Sequence, residues 1–283
     1  MTTETGSPRT GMLGSIRSWT GESRQALAEV LRWLVSVALP PVLLAAAAVA
    51  LWELWVRWTG TAEWLVPAPT SVGERLIEDP RFFAREGLVT LTEALLGLGV
   101  GSAAALALAI VMTHSRFLER GLYPLAIGLK VTPVVVWAPL FALWFGFGTT
   151  PKVFVAALIT FFPMLVNTVV GLRDVDPDAH AFLRSTGASR VEVLWFLRLP
   201  YALPYVFAGL RISALLAVIG AVVAEWSGAD DGIGHAIAVA NNNLDTPTVF
   251  AGIITLAVIG AILNAILALA ERLVIDWHAT QRA

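Results

Sequence analysis

Hydrophobic segments long enough to cross a bilayer dominate this sequence. The 283-residue chain is 57% hydrophobic and 14% charged, and its mean hydropathy is +0.74. A soluble domain of this size does not have that composition. Each segment is close to the ~20 residues that a membrane-spanning helix needs. The sequence therefore predicts an all-α, polytopic membrane protein with about six transmembrane helices, at about 34–57, 88–113, 121–146, 152–172, 204–226 and 249–272.

Basic residues are distributed unevenly between the segments that connect these spans. If the N-terminus is inside, the inner segments hold 11 Lys and Arg residues and the outer segments hold 3. The positive-inside rule then places both termini in the cytoplasm. We expect a cytoplasmic tail at 1–33, a transmembrane domain at 34–273 and a second cytoplasmic tail at 274–283.

The longest polar stretch between two spans runs from Asp176 to Pro204. Pro177 is typical of a helix start, and Pro200 and Pro204 are typical of a helix end. Gly187 lies between them and allows a sharp turn between two short helices. On the predicted topology this stretch is cytoplasmic, and its charge pattern indicates a docking segment for another protein.

Part of this stretch resembles the cytoplasmic loop signature of ABC importer permeases, written E-A-A, three residues, G, nine residues, then I-x-L-P. Gly187 occupies the glycine position, and the motif ends in LRLP at 197–200. Other stretches resemble the permeases for nitrate, sulfonates, taurine and thiamine-pyrimidine precursors. They are VPAPTSV at 66–72, PLFALWFGFG at 139–148, FFPMLVNTVVGLRDVDP at 161–177 and AEWSGADDGIG at 224–234.

This resemblance implies an inner membrane component of a binding-protein-dependent transporter, with the type I ABC importer permease fold. Its implied partners are two ABC ATPase subunits, a second permease copy as a homodimer, an extracytoplasmic solute-binding protein and the lipid bilayer. Its implied location is the bacterial inner membrane. The expected function is a translocation pathway for a small organic or anionic solute: a sulfonate, taurine, a nitrate-like anion or a pyrimidine precursor.

The resemblance also implies that residues 174–203, here called the 174–203 loop, couple the permease to its ATPase. The sequence departs from the signature because Ala181, Phe182 and Leu183 stand where Glu-Ala-Ala is usual, although Asp178 lies about one helical turn earlier. The expected coupling residues are Asp178, Ala181, Phe182, Leu183, Arg184, Gly187, Ala188, Leu199 and Pro200.

Apolar side chains of the loop are expected to pack into a groove on the ATPase, with Arg184 and Arg190 at its rim. Spacing alone leaves open an alternative in which these side chains only anchor the loop to the bilayer surface, and the resemblance favours docking. The apolar residues are Phe182, Leu183, Val191 and Leu194.

Nothing in the sequence predicts enzymatic chemistry. The phosphate-binding pattern G-x-x-x-x-G-K-[ST] does not occur, so ATP hydrolysis is expected on another chain. There is no cysteine, and the four histidines are dispersed. We therefore expect no catalytic residue, no metal, no cofactor and no nucleic-acid partner.

Polar residues and prolines within the spans are candidates for the solute pathway or its gate. Charged groups inside a membrane are costly and usually face protein. Proline frees backbone carbonyls, which are tolerated where they line a cavity. Ordinary packing or contact with lipid remains an alternative for any single one. The candidates are Glu93, Lys130, Pro133, Trp137, Pro163, Asn167 and Glu225.

Three of these spans carry more specific expectations. Glu93 should pair with a basic group from another helix, and Lys130 should extend towards the cytoplasmic surface. Glu225 belongs either to an outer gate or to the headgroup region. Gly97 and Gly101 form a G-x-x-x-G pattern that permits close contact between helices.

Two other functions remain open on the residues alone. An ion-coupled secondary transporter requires inverted repeats and a membrane-centred ionisable relay, and the sequence has no convincing repeat. A membrane enzyme or assembly factor requires clustered His, Asp or Glu residues. Neither the pathway composition nor the motifs identify the solute.

Overall fold

The structure is a computed structural model that describes residues 36, 39–115, 117–118, 120–122, 124, 128 and 132–275. In this part of the chain the regular elements are helices and no strand is present, which confirms the predicted all-α class. The predicted tail at 1–33, most of the tail at 274–283, and Lys130 lie outside the described residues.

Ten α-helices follow one another in the described part of the chain. Five continuous helical segments are long and apolar enough to span a membrane. The helices are α1 Leu39–Thr59, α2 Pro69–Glu78, α3 Pro80–His114, α4 Val134–Phe145, α5 Thr149–Arg173, α6 Pro177–Ser185, α7 Arg190–Val193, α8 Leu199–Glu225, α9 Ile233–Asn242 and α10 Thr246–Val274.

The observed helix limits differ from the limits of the predicted spans, and local sequence signals explain them. The helix α3 begins well before residue 88 because Asp79 accepts a hydrogen bond from the Phe82 N–H and Pro80 occupies the first turn. The predicted span at 121–146 is described only in part, where α4 forms a short apolar helix.

The chain divides into two compact units. The first contains α1 and residues 68–70. Within it the Glu53 carboxylate binds Arg57 at 2.5 Å and accepts hydrogen bonds from the Thr70 N–H at 3.1 Å and hydroxyl at 3.0 Å. The helix α2 starts at Pro69, a residue suited to a first turn.

The second unit contains residues 62–67 and the chain from Ser71 onwards, and α5 lies at its centre. Small residues bring the helices close. A side chain added at Gly97 or Gly101 on α3 would collide with Ala156, Ala157 or Thr160 on α5. The close contact predicted from the G-x-x-x-G pattern is therefore confirmed.

The 174–203 loop contains two short helices on either side of Gly187. Gly187 has φ +86°, a left-handed conformation that favours glycine, so the predicted turn is confirmed. The second helix, α7, starts with a capping box, in which the Ser189 hydroxyl accepts from the Glu192 N–H and the Glu192 carboxylate accepts from the Ser189 N–H.

The prediction that Pro200 and Pro204 end this helical stretch is wrong. A π-helical turn at Leu194–Arg198 joins α7 directly to α8, and the Leu199 N–H donates to the Leu194 carbonyl. The wider turn changes the hydrogen-bond register just before Pro200, which lacks an N–H, and Pro204 lies inside α8. The result is one continuous helical segment from residue 190 to residue 225.

Candidate functional site

A set of polar side chains, buried except for Asp231, joins α3, α5 and α8 to the segment before α9. We call it the carboxylate network, and it consists of Glu86, Thr90, Glu93, Lys152, Glu225 and Asp231. Glu93 and Glu225 are each 1% exposed, and Lys152 is 4% exposed. Carboxylates this deeply buried require compensating charge or hydrogen bonds.

Lys152 supplies the positive charge of the network. Its Nζ lies 2.7 Å from Glu93 Oε1 and 2.8 Å from Asp231 Oδ1. Nζ thus forms an ion pair with Glu93 and donates a hydrogen bond to Asp231. Glu93 thus has the basic partner on another helix that the sequence predicted.

The carboxylates of Glu225 and Glu86 bind the start of α9. Glu225 accepts hydrogen bonds from the Thr90 hydroxyl at 2.7 Å and from the Gly234 N–H at 2.5 Å. Glu86 accepts from the Gly232 N–H at 2.7 Å. Backbone N–H groups at a helix start have no partner within the helix and favour negative charge, so this contact fixes α9 against α3 and α8.

Glycine is required at the centre of this contact. Gly232 has φ +100°, and an added Cβ at Gly232 or Gly234 would collide with the Glu225 carboxylate. Burial of Glu225 is incompatible with the alternative that placed its side chain among headgroups. Its assignment to a gate stays a prediction.

A second candidate site is a cavity of about 590 Å³ between α4, α5 and α8. Four of the predicted pathway residues line it together: Pro133, Trp137, Pro163 and Asn167. Glu93 and Glu225 belong instead to the carboxylate network. The seventh candidate, Lys130, lies outside the described residues.

Local structure explains the shape and polarity of this cavity. Pro163 lies inside α5 and cannot donate to the carbonyl of Ile159, which also lines the cavity. Asn167 Nδ2 donates to the Pro163 carbonyl at 2.8 Å. The indole nitrogen of Trp137 is buried and has no hydrogen-bond partner among the described residues, while its ring stacks on Phe141.

The 174–203 loop presents a mixed apolar and basic surface. Phe182 is 70% exposed and Val191 is 60% exposed. Leu194 is only 7% exposed because it packs in a core cluster with Met112 and Leu172, so the prediction that it inserts into a groove on the ATPase is wrong.

Basic side chains of this loop converge with His114, an arrangement that the sequence did not predict. They line a cavity of about 280 Å³, and no acidic side chain is among its described lining residues. The arginine at 184 also donates to the Ala188 carbonyl at 2.8 Å. The basic lining residues are His114, His180, Arg184, Arg190 and Arg198.

Metal binding is not supported by the described side chains, among which no group of three or more His, Asp or Glu residues is placed to hold an ion. The sites are instead a buried ionic network, a largely apolar cavity and an exposed loop. Such a set suits movement of a solute better than bond-making chemistry.

Comparison with known proteins decides the family. Residues 97–276 match the family described as the binding-protein-dependent transport system inner membrane component. The chain belongs to this family. The permease is 39% identical to the riboflavin transport system permease protein of Chloroflexus aurantiacus, over 81% of this chain and 86% of the relative. It is 34% identical to the formylaminopyrimidine transport permease protein of Halalkalibacterium halodurans, over 86% of this chain and 98% of the relative.

A solved structure shows the same fold. The permease superposes on a chain of an amino acid ABC transporter crystallised with histidines, with a TM-score of 0.57 and 18% identity, over 70% of this chain and 96% of that chain. The predicted type I ABC importer permease fold is confirmed.

Family membership also decides between the alternative functions that the sequence left open. The permease is a multi-pass protein of the bacterial inner membrane and a transport subunit, as its relatives are, and not an enzyme. The ion-coupled and assembly-factor alternatives are therefore set aside.

Proposed function

We propose that the permease forms the translocation pathway of an ATP-driven importer and is coupled through the 174–203 loop to a separate ATPase subunit. The observation that carries the proposal is the loop's construction. Two short helices lie on either side of the Gly187 turn, and they expose Phe182 and Val191, which are close in sequence to Arg184 and Arg190. An exposed apolar centre with a charged rim is typical of a protein interface.

Helix continuity supports mechanical coupling. The segment from residue 190 to residue 225 runs without a break from the loop, past the cavity at Ile212 and Ile219, to Glu225. A displacement of the loop by the ATPase would therefore move the cavity wall and the carboxylate network together. ATP binding would shift the population between inward-facing and outward-facing states through this segment.

The assembly that we propose contains two permease copies, two ATPase subunits and one extracytoplasmic solute-binding protein. The basic residues of the connecting segments support a topology with both termini in the cytoplasm. In this arrangement 1–33 and 274–283 are cytoplasmic tails, and 34–273 is the transmembrane domain.

The solute that we propose is a small organic or anionic molecule. Relatives are named as permeases for riboflavin, formylaminopyrimidine, aliphatic sulfonates and taurine. The cavity is the proposed pathway segment, with Pro133, Trp137, Pro163 and Asn167 on its walls. The carboxylate network, through Glu93 and Glu225, is the proposed gate at the opposite side from the loop, and Lys130 is a proposed pathway residue.

Two separate exposed phenylalanines, one in the loop and one outside it, allow a test of the proposed docking. Phe182→Asp places a charge in the apolar centre of the loop, whereas Phe117→Asp changes a residue that is 85% exposed on the preceding connection. We expect Phe182→Asp to abolish co-purification with the ABC ATPase of the importer, and Phe117→Asp to retain it. Equal retention of the ATPase by both variants would contradict the proposal.

A further inference from the structure

We infer that the cavity between α4, α5 and α8 accepts an uncharged, planar ring solute that carries a carbonyl group, in preference to a small anion. The inference rests on the proposed function, because it narrows the solute range of the same pathway. Three properties of the cavity lead to it: the charge of its walls, its unused hydrogen-bonding groups and its size.

The described walls carry no charge. Their polar side chains are those of Thr132 and Asn167, and the rest of the described lining is aromatic, aliphatic or proline. An anion entering from water would lose hydration without gaining a cationic partner there, which is strongly unfavourable. An uncharged ring loses much less hydration and gains contact with Phe162 and Pro163.

Hydrogen-bonding groups on the walls match the edge of a ring that bears a carbonyl. The Trp137 indole N–H is buried without a partner among the described residues, and a buried donor left unpaired is costly until an acceptor reaches it. Asn167 commits one N–H to the Pro163 carbonyl and retains its carbonyl oxygen and second N–H. Trp137 thus provides a donor to a ring carbonyl, and Asn167 provides both a donor and an acceptor.

Size points in the same direction. The volume of about 590 Å³ lies within the roughly 300–1,000 Å³ typical of sites for drug-sized ligands. A nitrate or short sulfonate would leave most of this space to water against apolar walls. A fused-ring solute fills it and covers the aliphatic side chains of Ile212, Leu216 and Ile219.

The test measures binding to the permease–ATPase complex in nanodiscs without any solute-binding protein, so that the permease alone determines selectivity. The probe is lumichrome, an uncharged fluorescent three-ring heterocycle with ring carbonyls, and the readout is fluorescence polarisation. We expect saturable binding that uracil displaces and taurine does not. Trp137→Phe removes the N–H but keeps an aromatic ring, and we expect roughly 2- to 10-fold weaker binding, the range for loss of one hydrogen bond.

One further variant completes the design. Trp144→Phe removes an indole N–H from a residue that is 60% exposed and does not line the cavity, and its lumichrome binding should be unchanged. Absence of saturable binding, equal affinity of Trp137→Phe and the wild type, or displacement of lumichrome by taurine would each overturn the inference.

The result of the lumichrome-binding test can be distinguished from the result of the ATPase-docking test. The same nanodiscs report whether the permease retains its ATPase and whether Phe182→Asp releases it. Retention of the ATPase with no lumichrome binding contradicts the solute inference alone, whereas loss of the docking effect contradicts the proposed coupling.

Discussion

Lys152 Nζ lies 2.7 Å from Glu93 Oε1, and both side chains are almost completely buried between α3 and α5. The same ammonium group reaches Asp231, which is half-exposed, at 2.8 Å. One lysine therefore links the packed helices to the segment that leads into α9. This connection makes Lys152 the residue on which the carboxylate network depends.

Removal of the lysine should destabilise the permease strongly. Lys152→Met leaves Glu93 buried without its counter-charge, which we expect to cost about 3–5 kcal/mol in the free energy of unfolding. Thermal unfolding in detergent, followed by tryptophan fluorescence, measures this loss. Asp231→Asn is the control, and it should cost much less because water reaches the half-exposed carboxylate.

A double variant separates the charge effect from the loss of packing. Glu93→Gln combined with Lys152→Met removes both charges, so it should recover part of the stability that Lys152→Met loses. If the melting temperature of the double variant is no higher than that of Lys152→Met, the pairing of these two charges does not explain the lost stability.

Two glycines on α3 give a matched test of helix packing. An added Cβ at Gly101 would lie 2.5 Å from the Ala157 carbonyl oxygen, whereas nothing lies within 4 Å of one at Gly99. Gly101→Ala should lower the free energy of unfolding by about 1–3 kcal/mol, the usual cost of overpacking. Gly99→Ala should be neutral or stabilising, because alanine favours helix more than glycine does. Equal melting temperatures for the two variants would rule out the close contact of α3 with α5.

Glu225 should control the order of the segment before α9. Glu225→Ala removes the acceptor of the Gly234 N–H and the Thr90 hydroxyl. An unsatisfied buried donor costs about 1–3 kcal/mol, so amide hydrogen exchange at 232–234 should become roughly 5- to 150-fold faster. Exchange is measured by mass spectrometry, with Asp230→Ala, an exposed neighbour, as the control. Unchanged exchange at 232–234 would argue against Glu225 as the anchor of α9.

Much of the fold follows directly from the sequence. Spans are long apolar segments, and in lipid their backbone N–H and C=O groups must be paired within the segment, which a helix achieves. Their approximate positions and the all-α class were therefore predictable. The turn at Gly187 was predictable as well, since a glycine between two charged, helix-compatible stretches marks a change of direction. The continuity of α7 with α8 was not predictable. A proline usually marks a helix end, and here the π-helical turn before Pro200, which has no sequence signature, lets the helix continue.

The sites were only partly predictable, for a physical reason. Glu93 and Glu225 attracted notice as charges within spans, but their partners Lys152 and Asp231 lie at span ends, where charges are ordinary. Only tertiary packing brings them together. The convergence of Pro133, Trp137, Pro163 and Asn167 on one cavity was consistent with helix-breaking residues near a pathway. The buried indole N–H of Trp137, which has no partner among the described residues, is visible only in the structure.

The most direct test of coupling through the 174–203 loop is ATP-driven solute uptake by proteoliposomes that contain the permease, its ATPase and its binding protein. Gly187→Pro cannot adopt φ +86° and loses the N–H that donates to the Arg184 carbonyl, so the coupling turn should be destroyed. The matched control is Gly60→Pro. Gly60 also has a positive φ and no atom within 4 Å of an added Cβ, but it is distant from the loop in sequence. We expect ATP-dependent uptake in the wild type and in Gly60→Pro, and none in an assembled Gly187→Pro complex. Undiminished uptake by Gly187→Pro would contradict the assignment of the 174–203 loop as the link to ATP hydrolysis.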